Sequence, residues 1–366
     1  EFLFMNLSER YTFQSKIEIH FAKIQFLNKI MQVPLILAIE SSCDDTSVAI
    51  VQGNRVLSNI ISSQQIHKKY GGVVPEAASR AHLEMIIQCA EEAVSVAGIN
   101  LSDLNAIAAT QGPGLMGSLI VGLNFAKGLC KGMAKPLITV HHLQAHALSI
   151  FMDRDHTQFP VLCMIVSGGH TQLVLIQSDY SIQLIGQTVD DAAGEAFDKI
   201  GKLLGLQYPA GPEVDRLSRL GFPKYVFPKS KMDAYNFSFS GLKTAALYFL
   251  QNNTRENPEF INQNINDICA SIQSAIIDML LDKLEKAAND FNIGHIGISG
   301  GVSANSGLRE KLQSKAVEKD WNLLFPKLQY CTDNAAMIGM VATLKYKAGN
   351  FASFDTPALA RYAIPE

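Results

Sequence analysis

His142-Leu-Gln-Ala-His146 sets two imidazoles four residues apart, a spacing that lays both on one face of a helix within reach of a single metal ion. Histidines so spaced are also ordinary polar surface, and the local sequence leaves that alternative open. A hydrolytic helix would read His-Glu-x-x-His, the glutamate activating water; Leu143 stands where that base would be, and His141 points elsewhere. A third donor must come from a distance. Asp333 and Asn334 open an apolar helical stretch, where Asp333 could cap the helix, join the histidines and leave coordination positions free for a ligand, or do both.

A second chemistry is suggested by three turns. Residues 164–176 are two apolar runs joined by Ser167, Gly168 and Gly169, a buried hairpin whose turn presents backbone N–H groups to an anion. Residues 39–51 repeat the design, with Ser42, Cys43, Asp44, Asp45 and Thr46 in the turn, and residues 296–305 carry a third strand into Gly300-Gly301 with a helix expected from Ala304. Each alone is as readily a tight turn. Their recurrence argues that they close around one nucleotide, and two related hairpins argue for two related halves. Asp198 sits deeper in a helix, after Phe197, while Gly211 and Asp215 straddle a second helix start; the Asp side chains could bind ribose hydroxyls or form a solvated acidic face, and the acids before Asp198 suit a helix N-terminus without any function. Tyr235–Lys243 interleaves aromatics with hydroxyls. It could stack on nucleic acid, but an alternating strand running into a capped helix is the simpler expectation.

These residues need a scaffold. The 366 residues, 48% hydrophobic with net charge −3, suffice for two cores and exclude a strongly basic nucleic-acid binder; six scattered cysteines fit a reducing compartment, and no apolar run approaches the ~20 residues of a membrane span. Residues 1–34 start at Glu1, match a transit or signal peptide poorly, and are set outside the fold. Strands are expected at Leu35–Ile39, Arg55–Ile61, Leu104–Thr110, Pro136–Val140 and Trp321–Phe325, and helices at Glu76–Ala97, Leu119–Lys131, Asn266–Ala288 and Asn334–Tyr346, the last returning to the first unit. Gln64–Pro75 and Gln111–Ser118 read as loops, His67 as a solvated loop histidine, His82 as a surface side chain, and Gly122 and Gly128 as sites of tight helix packing. Strand–helix alternation of this length predicts an α/β protein with helix-covered sheets. No low-complexity linker separates the halves, so their cleft is expected to be a hinge.

Residues 35–346 resemble the tRNA threonylcarbamoyladenosine transferase family, TsaD in bacteria. The likeness rests on Glu40-Ser-Ser-Cys-Asp-Asp-Thr46, Gly71-Gly-Val-Val-Pro-Glu76, Gln111-Gly-Pro-Gly-Leu-Met-Gly117, His142-x-x-x-His146, Val166-Ser-Gly-Gly-His-Thr171, Asp191-Ala-Ala-Gly-Glu-Ala-Phe-Asp198, Ser238-Phe-Ser-Gly-Leu-Lys243, Ser299-Gly-Gly-Val-x-x-Asn305 and Thr332-Asp-Asn334. It implies two duplicated actin-like α/β lobes around a nucleotide cleft, lobe I at 35–150 with helix 334–346 packed back on it and lobe II at 151–333. It also implies transfer of threonylcarbamoyl from threonylcarbamoyl-AMP to the exocyclic amine of the adenosine 3′ of the anticodon in tRNAs reading ANN codons. Carried over position by position, His142, His146 and Asp333 would hold one Fe2+ or Zn2+. Ile165, Val166, Ser167, Gly168, Gly169, Asp198, Gly211, Asp215 and Asn305 would form the site for the ATP-type or adenylate nucleotide. Asp44 would orient the reacting centre or hold Mg2+ beside the phosphate. Gln144-Ala145 replaces the commoner Glu-Gly between the histidines and leaves both ligands in place. The resemblance further implies a paralogous partner subunit of the same fold and a small P-loop ATPase, no membrane, and a cytoplasmic rather than mitochondrial setting. The competing expectations are a kinase or ATPase of the same fold and, weakened by the missing glutamate, an endopeptidase.

Overall fold

The computed structural model describes residues 33–154, 158–230 and 232–364; the expected extension falls almost wholly outside them. Strand β1 (Leu35–Glu40) is apolar until its last residue and buried throughout, as a central strand covered on both faces must be. Its side chains alternate between two cores: Ile36 and Ala38 on one face, Leu37 and Ile39 on the other. Strand β2 (Asp45–Gln52) returns antiparallel, β3 (Arg55–Ser63) flanks it, and β4 (Ala106–Gly112) and β5 (Leu137–His141) extend the other side in parallel, giving the order β3-β2-β1-β4-β5.

The second sheet repeats the first strand for strand. Strands β6 (Val161–Val166), β7 (Thr171–Ile176), β8 (Ile182–Gln187), β9 (His295–Ser299) and β10 (Asn322–Leu324) adopt the order β10-β9-β6-β7-β8 with the same parallel and antiparallel neighbours. The duplicated hairpins read from the sequence are thus β1–β2 and β6–β7.

Helices α1 (Pro75–Ala97) and α2 (Met116–Met133) cover the first sheet, and α3 (His142–Leu148) leads toward the second. Helices α4 (Ala193–Leu203), α5 (Gly211–Ser218), α6 (Ser240–Glu256), α7 (Phe260–Phe291) and α8 (Ser306–Lys319) belong to the second half. Helix α9 (Ala335–Lys347) returns to the first sheet, where the Ala335 amide donates to Ser47 Oγ and the Thr343 hydroxyl to the Gly53 carbonyl. One apolar core contains residues of both sheets together with α3 and α9, so the elements that carry the histidines and follow Asp333 are packed in the layer that joins the halves. Among the described residues no helix is long and apolar enough to cross a membrane.

Several local expectations are corrected. β4 runs on to Gly112 and α2 starts at Met116, because the Leu115 amide is taken by the Ser42 carbonyl and the helix bonds begin at Leu119. Tyr235–Lys243 forms no strand beyond one bridge at Phe237: Phe237 and Phe239 fill the second core, while Ser238 and Ser240 bond Asp190, so the hydroxyls serve the fold. His67 is buried between Gln64 and the Val74 amide, and His82 is buried between the Thr46 hydroxyl and the Cys43 carbonyl. Gly122 does permit a close approach, since a Cβ there would stand 2.3 Å from Ser41 Oγ; around Gly128 nothing described lies within 4 Å.

Gly122→Ala should therefore cost about 1 kcal/mol or more through overpacking, whereas Gly128→Ala should stabilise by about 0.5–1 kcal/mol through helix propensity. Urea unfolding of both variants checks this, and equal shifts would show that Gly122 is not a packing position.

Candidate metal and nucleotide site

Helix α3 begins at the C-terminal end of β5, where His141 Nδ1 accepts from the Gln144 amide and caps it. One turn separates His142 from His146, and their rings meet edge to face with centroids 4.7 Å apart. Asp333 arrives on the turn before α9. Both Asp333 and Asn334 could have capped that helix; it is Asn334 that does so, accepting from the Met337 amide. The Asp333 carboxylate is thereby free to reach the histidines, with Oδ1 3.0 Å from His146 Nε2 and 3.6 Å from His142 Nε2. One donor atom from each residue lies within 4.8 Å of the others. Ligands about 2.0–2.2 Å from one ion stand about 3–3.5 Å apart, so the cluster fits a metal after small adjustment. Two imidazoles and one carboxylate are the donor set of Fe(II) sites with open positions, and zinc accepts the same set.

Behind His142 lies Glu40, fully buried at the end of β1. Its Oε2 accepts from the Thr110 hydroxyl at 2.7 Å and lies 3.0 Å from His142 Nδ1, while Oε1 accepts from the Ser42 amide. Ser42 Oγ is 3.2 Å from the same His142 nitrogen. A carboxylate behind a metal-binding histidine fixes the ring and raises its basicity. This residue escaped the sequence reading; its signal was a carboxylate closing an otherwise wholly apolar strand, since a buried charge demands a partner. Among the described residues His146 Nδ1 has no hydrogen-bond partner, so only His142 is backed in this way.

Burial pushes the His142 imidazole down, but Glu40 and Asp333 outweigh it and hold its pKa at about 9. Burial likewise pushes Glu40 and Asp333 up, and in both the attraction of His142 prevails, so both carboxyls stay below their ordinary range. Asp45 behaves oppositely: burial pushes it up to about 7, reinforced by Asp333, Asp44 and Glu40 and opposed by a hydrogen bond from Ser63.

The glycine turns converge on the same place. Ser167 N donates to the His170 carbonyl and His170 N to Ser167 Oγ, leaving Gly168 and Gly169 exposed with open space around them. Burial and the charges of His142 and His146 push His170 down to about 4. Gly194, in the first turn of α4, donates to the Ser167 carbonyl. Gly300 has φ +87, and a Cβ there would stand 2.4 Å from the Val166 carbonyl; one added to Gly301 would lie 3.9 Å from the Thr332 methyl, next to Asp333. Burial, with the charges of Asp44 and Asp198, pushes the Tyr208 phenol up.

The remaining expected site residues have partners within the fold. Ile165 and Val166 point into opposite cores, leaving only their main chain for a ligand. Asp198 accepts from the Ala210 amide just before Gly211 at 2.7 Å, Asp215 accepts from the Ser306 amide and hydroxyl, and Asn305 caps α8 while donating to Gln273. They tie α4, α5 and α8 into one wall.

Two duplicated mixed sheets, with a His-His-Asp cluster facing glycine turns between them, define a two-lobed α/β protein of the actin-like class. Solved structures of that shape agree: component A of (R)-2-hydroxyglutaryl-CoA dehydratase from Acidaminococcus fermentans superposes with TM-score 0.51 at 14% identity, over 86% of this chain and 99% of that one. Full-length HypF gives TM-score 0.54 at 15% identity, over 86% of this chain and 46% of that one. Residues 55–340 match the family model TsaD, described as tRNA N6-adenosine threonylcarbamoyltransferase. Relatives of that name from Riemerella anatipestifer and Christiangramia forsetii are 52% and 51% identical, covering 91% and 89% of this chain and 99% and 97% of their own. The chain belongs to the TsaD family.

Glu40→Gln should weaken metal binding by about 10–100-fold, read by competition with a chelator; unchanged affinity would remove Glu40 from the site. In metal-free protein the raised His142 contributes stability that is complete below pH 6.5 and lost as pH rises through about 9. Denaturant midpoints should thus fall across that interval, and fall less in Glu40→Gln.

Proposed function

We propose that this chain transfers a threonylcarbamoyl group to N6 of an adenosine in tRNA. The family assignment supports the transferase activity and its tRNA substrate. Within it, we take the donor to be threonylcarbamoyl-AMP and the target to be the adenosine 3′ of the anticodon in tRNAs reading ANN codons. What carries the proposal is the His142–His146–Asp333 cluster together with Gly300, packed against Val166 where the Ser167–Gly169 turn begins, and Gly301, beside Thr332 next to Asp333, so that one donor molecule could touch both.

An iron or zinc ion held by His142, His146 and Asp333 would bind the threonylcarbamoyl end of the donor and polarise its carbonyl. The amides of Gly168 and Gly169 would hold the phosphate as negative charge builds on it, the Ser167 amide being spent on the His170 carbonyl that closes the turn, and the main chain of Ile165 and Val166 sets where that turn begins. Gly211 would let the adenosine moiety approach the wall that Asp198, Asp215 and Asn305 hold together. The incoming N6 amine forms the new C–N bond and gives up one proton, the bond from the carbonyl carbon to the phosphate oxygen breaks, and AMP leaves with the electron pair. Asp44, on the first hairpin, would orient the amine or hold Mg2+ beside the phosphate. Because the groups need mainly placement, the rate depends on how rigidly the pocket holds them.

Residues 35–150 with the helix 334–346 would move as one lobe and 151–333 as the other, and closure between them would keep water from the donor. A paralogous subunit of the same fold and a small P-loop ATPase would complete the bacterial assembly, in the cytoplasm where tRNA is found. A kinase or ATPase of this fold would have no use for the His-His-Asp cluster.

Incubating the protein with tRNA, ATP, threonine, bicarbonate, a threonylcarbamoyl-AMP synthase and these partners should yield threonylcarbamoyladenosine, detected by mass spectrometry of digested nucleosides. His142→Ala and Asp333→Ala should lower the yield by about 100-fold or more while adenine-nucleotide binding persists. No product from the complete mixture would sink the activity, and full product from both variants would sink the metal's part in it.

A further inference from the structure

The chain beyond α9 crosses back over the first sheet and bonds to the segments that carry the site. Ala352 pairs with Leu137 at the start of β5, and Lys127 Nζ on α2 donates to the Thr356 carbonyl. Leu359 N donates to the Gln111 carbonyl, Gln111 Nε2 to the Pro357 carbonyl, and Gly114 N to the Ala360 carbonyl. Gly112 has φ +155, and a Cβ there would stand 1.9 Å from the Leu359 carbonyl, so only glycine allows the two backbones this close. At its end the Tyr362 carbonyl lies 3.1 Å from His141 Nε2, and the two rings pack with centroids 4.6 Å apart.

We propose that Ala352–Tyr362 is a positioning strap for the metal-binding helix, acting through His141 and through the Gln111–Leu115 turn. A neutral imidazole has one N–H and one acceptor nitrogen. The Tyr362 carbonyl can only accept, so it fixes the proton on Nε2 and leaves Nδ1 to accept from the Gln144 amide, which caps α3. That helix spans seven residues and includes both histidine ligands; a helix so short depends on its cap and its packing for a defined direction. The second route runs through the turn: the strap holds Gln111 and Gly114, Leu115 N donates to the Ser42 carbonyl at 2.7 Å, and Ser42 Oγ is the group 3.2 Å from His142 Nδ1. The strap lies beyond the residues matched by the family model, which end at 340. His141 is thus a positioning residue rather than a ligand.

The proposal rests on His142, His146 and Asp333 being metal ligands, and two measurements on the full chain separate the two ideas. In metal-free protein with 15N-labelled histidine, long-range 15N–1H spectra should show His141 as the Nε2–H tautomer; the Nδ1–H tautomer would overturn the strap whatever the metal does. In Co2+-loaded protein, His141→Phe keeps a ring against Tyr362 but loses both hydrogen bonds, and should shift the visible absorption of the ion and speed its release to a chelator about tenfold. His141→Asn, which can still cap, should return release close to the parent rate, and Leu359→Pro, which deletes the amide bonded to Gln111, should reproduce the faster release. Parent protein that binds no Co2+ would refute the ligand assignment. Folded His141→Phe and Leu359→Pro proteins with the parent's spectrum and release rate would refute the strap alone.

Discussion

Glu40 has no access to water, and the first half of the molecule is arranged around that fact. An ionised carboxylate in such a place is tolerable only when it is paired and fully hydrogen-bonded. Its partners come from three separate segments: the Ser42 amide from the turn after β1, the Thr110 hydroxyl from β4 and the His142 ring from α3. Removing one partner of such a pair typically costs about 3–5 kcal/mol, because the other is left charged and alone. One charge thus sets the register of β1 against β4, the path of the turn toward Leu115, and the rotation of the first histidine ligand.

The duplication explains why the two halves of the pocket are chemically unlike. β1 and β6 are equivalent central strands, and ligands in sheets of this kind collect beyond the carboxyl ends of the strands, where connections diverge to either side. In the first half that end carries a carboxylate, Glu40, and then the acidic turn at Asp44 and Asp45. In the second it carries Val166 and the uncharged Ser167-Gly168-Gly169 turn. A repeated backbone therefore places a cation-seeking surface and an anion-seeking one face to face. Helices α3 and α9, packed in the core shared by both sheets, hold the histidines and Asp333 between them.

What could be read without coordinates follows from this. The paired hairpins were legible because apolar runs on both sides of a turn leave few alternatives, and the His142–His146 pair because helical spacing is a local property. The choice between Asp333 and Asn334 as helix cap was not, since either side chain can accept from the amide; their distance from the histidines, a tertiary fact, decides it. His67 and His82 misled for the same reason: nothing near them in sequence announces the Gln64, Thr46 and Cys43 partners that make burial acceptable. The alternation of Tyr235–Lys243 is real but serves a plug, with aromatics sunk in the core, serines clasping Asp190, and a single bridge from Phe237 to Thr188 beyond the edge strand β8.

The charge distribution argues that the pocket is built to be completed. Burial, reinforced by the charges of Asp333, Asp44 and Glu40, pushes Asp45 up to about 7 against a hydrogen bond from Ser63 that opposes the shift. Against these carboxylates His142 carries a positive charge, whereas His170, which could have added another, is held neutral by burial and by His142 and His146. A divalent ion bound by His142, His146 and Asp333 would reverse that local sign, relieve the repulsion among the carboxylates, and leave the acyl and phosphate ends of a donor with favourable ground on opposite sides. The same ion would exclude the proton that His142 carries in its absence, so metal binding and the ionisation of the cluster are one equilibrium.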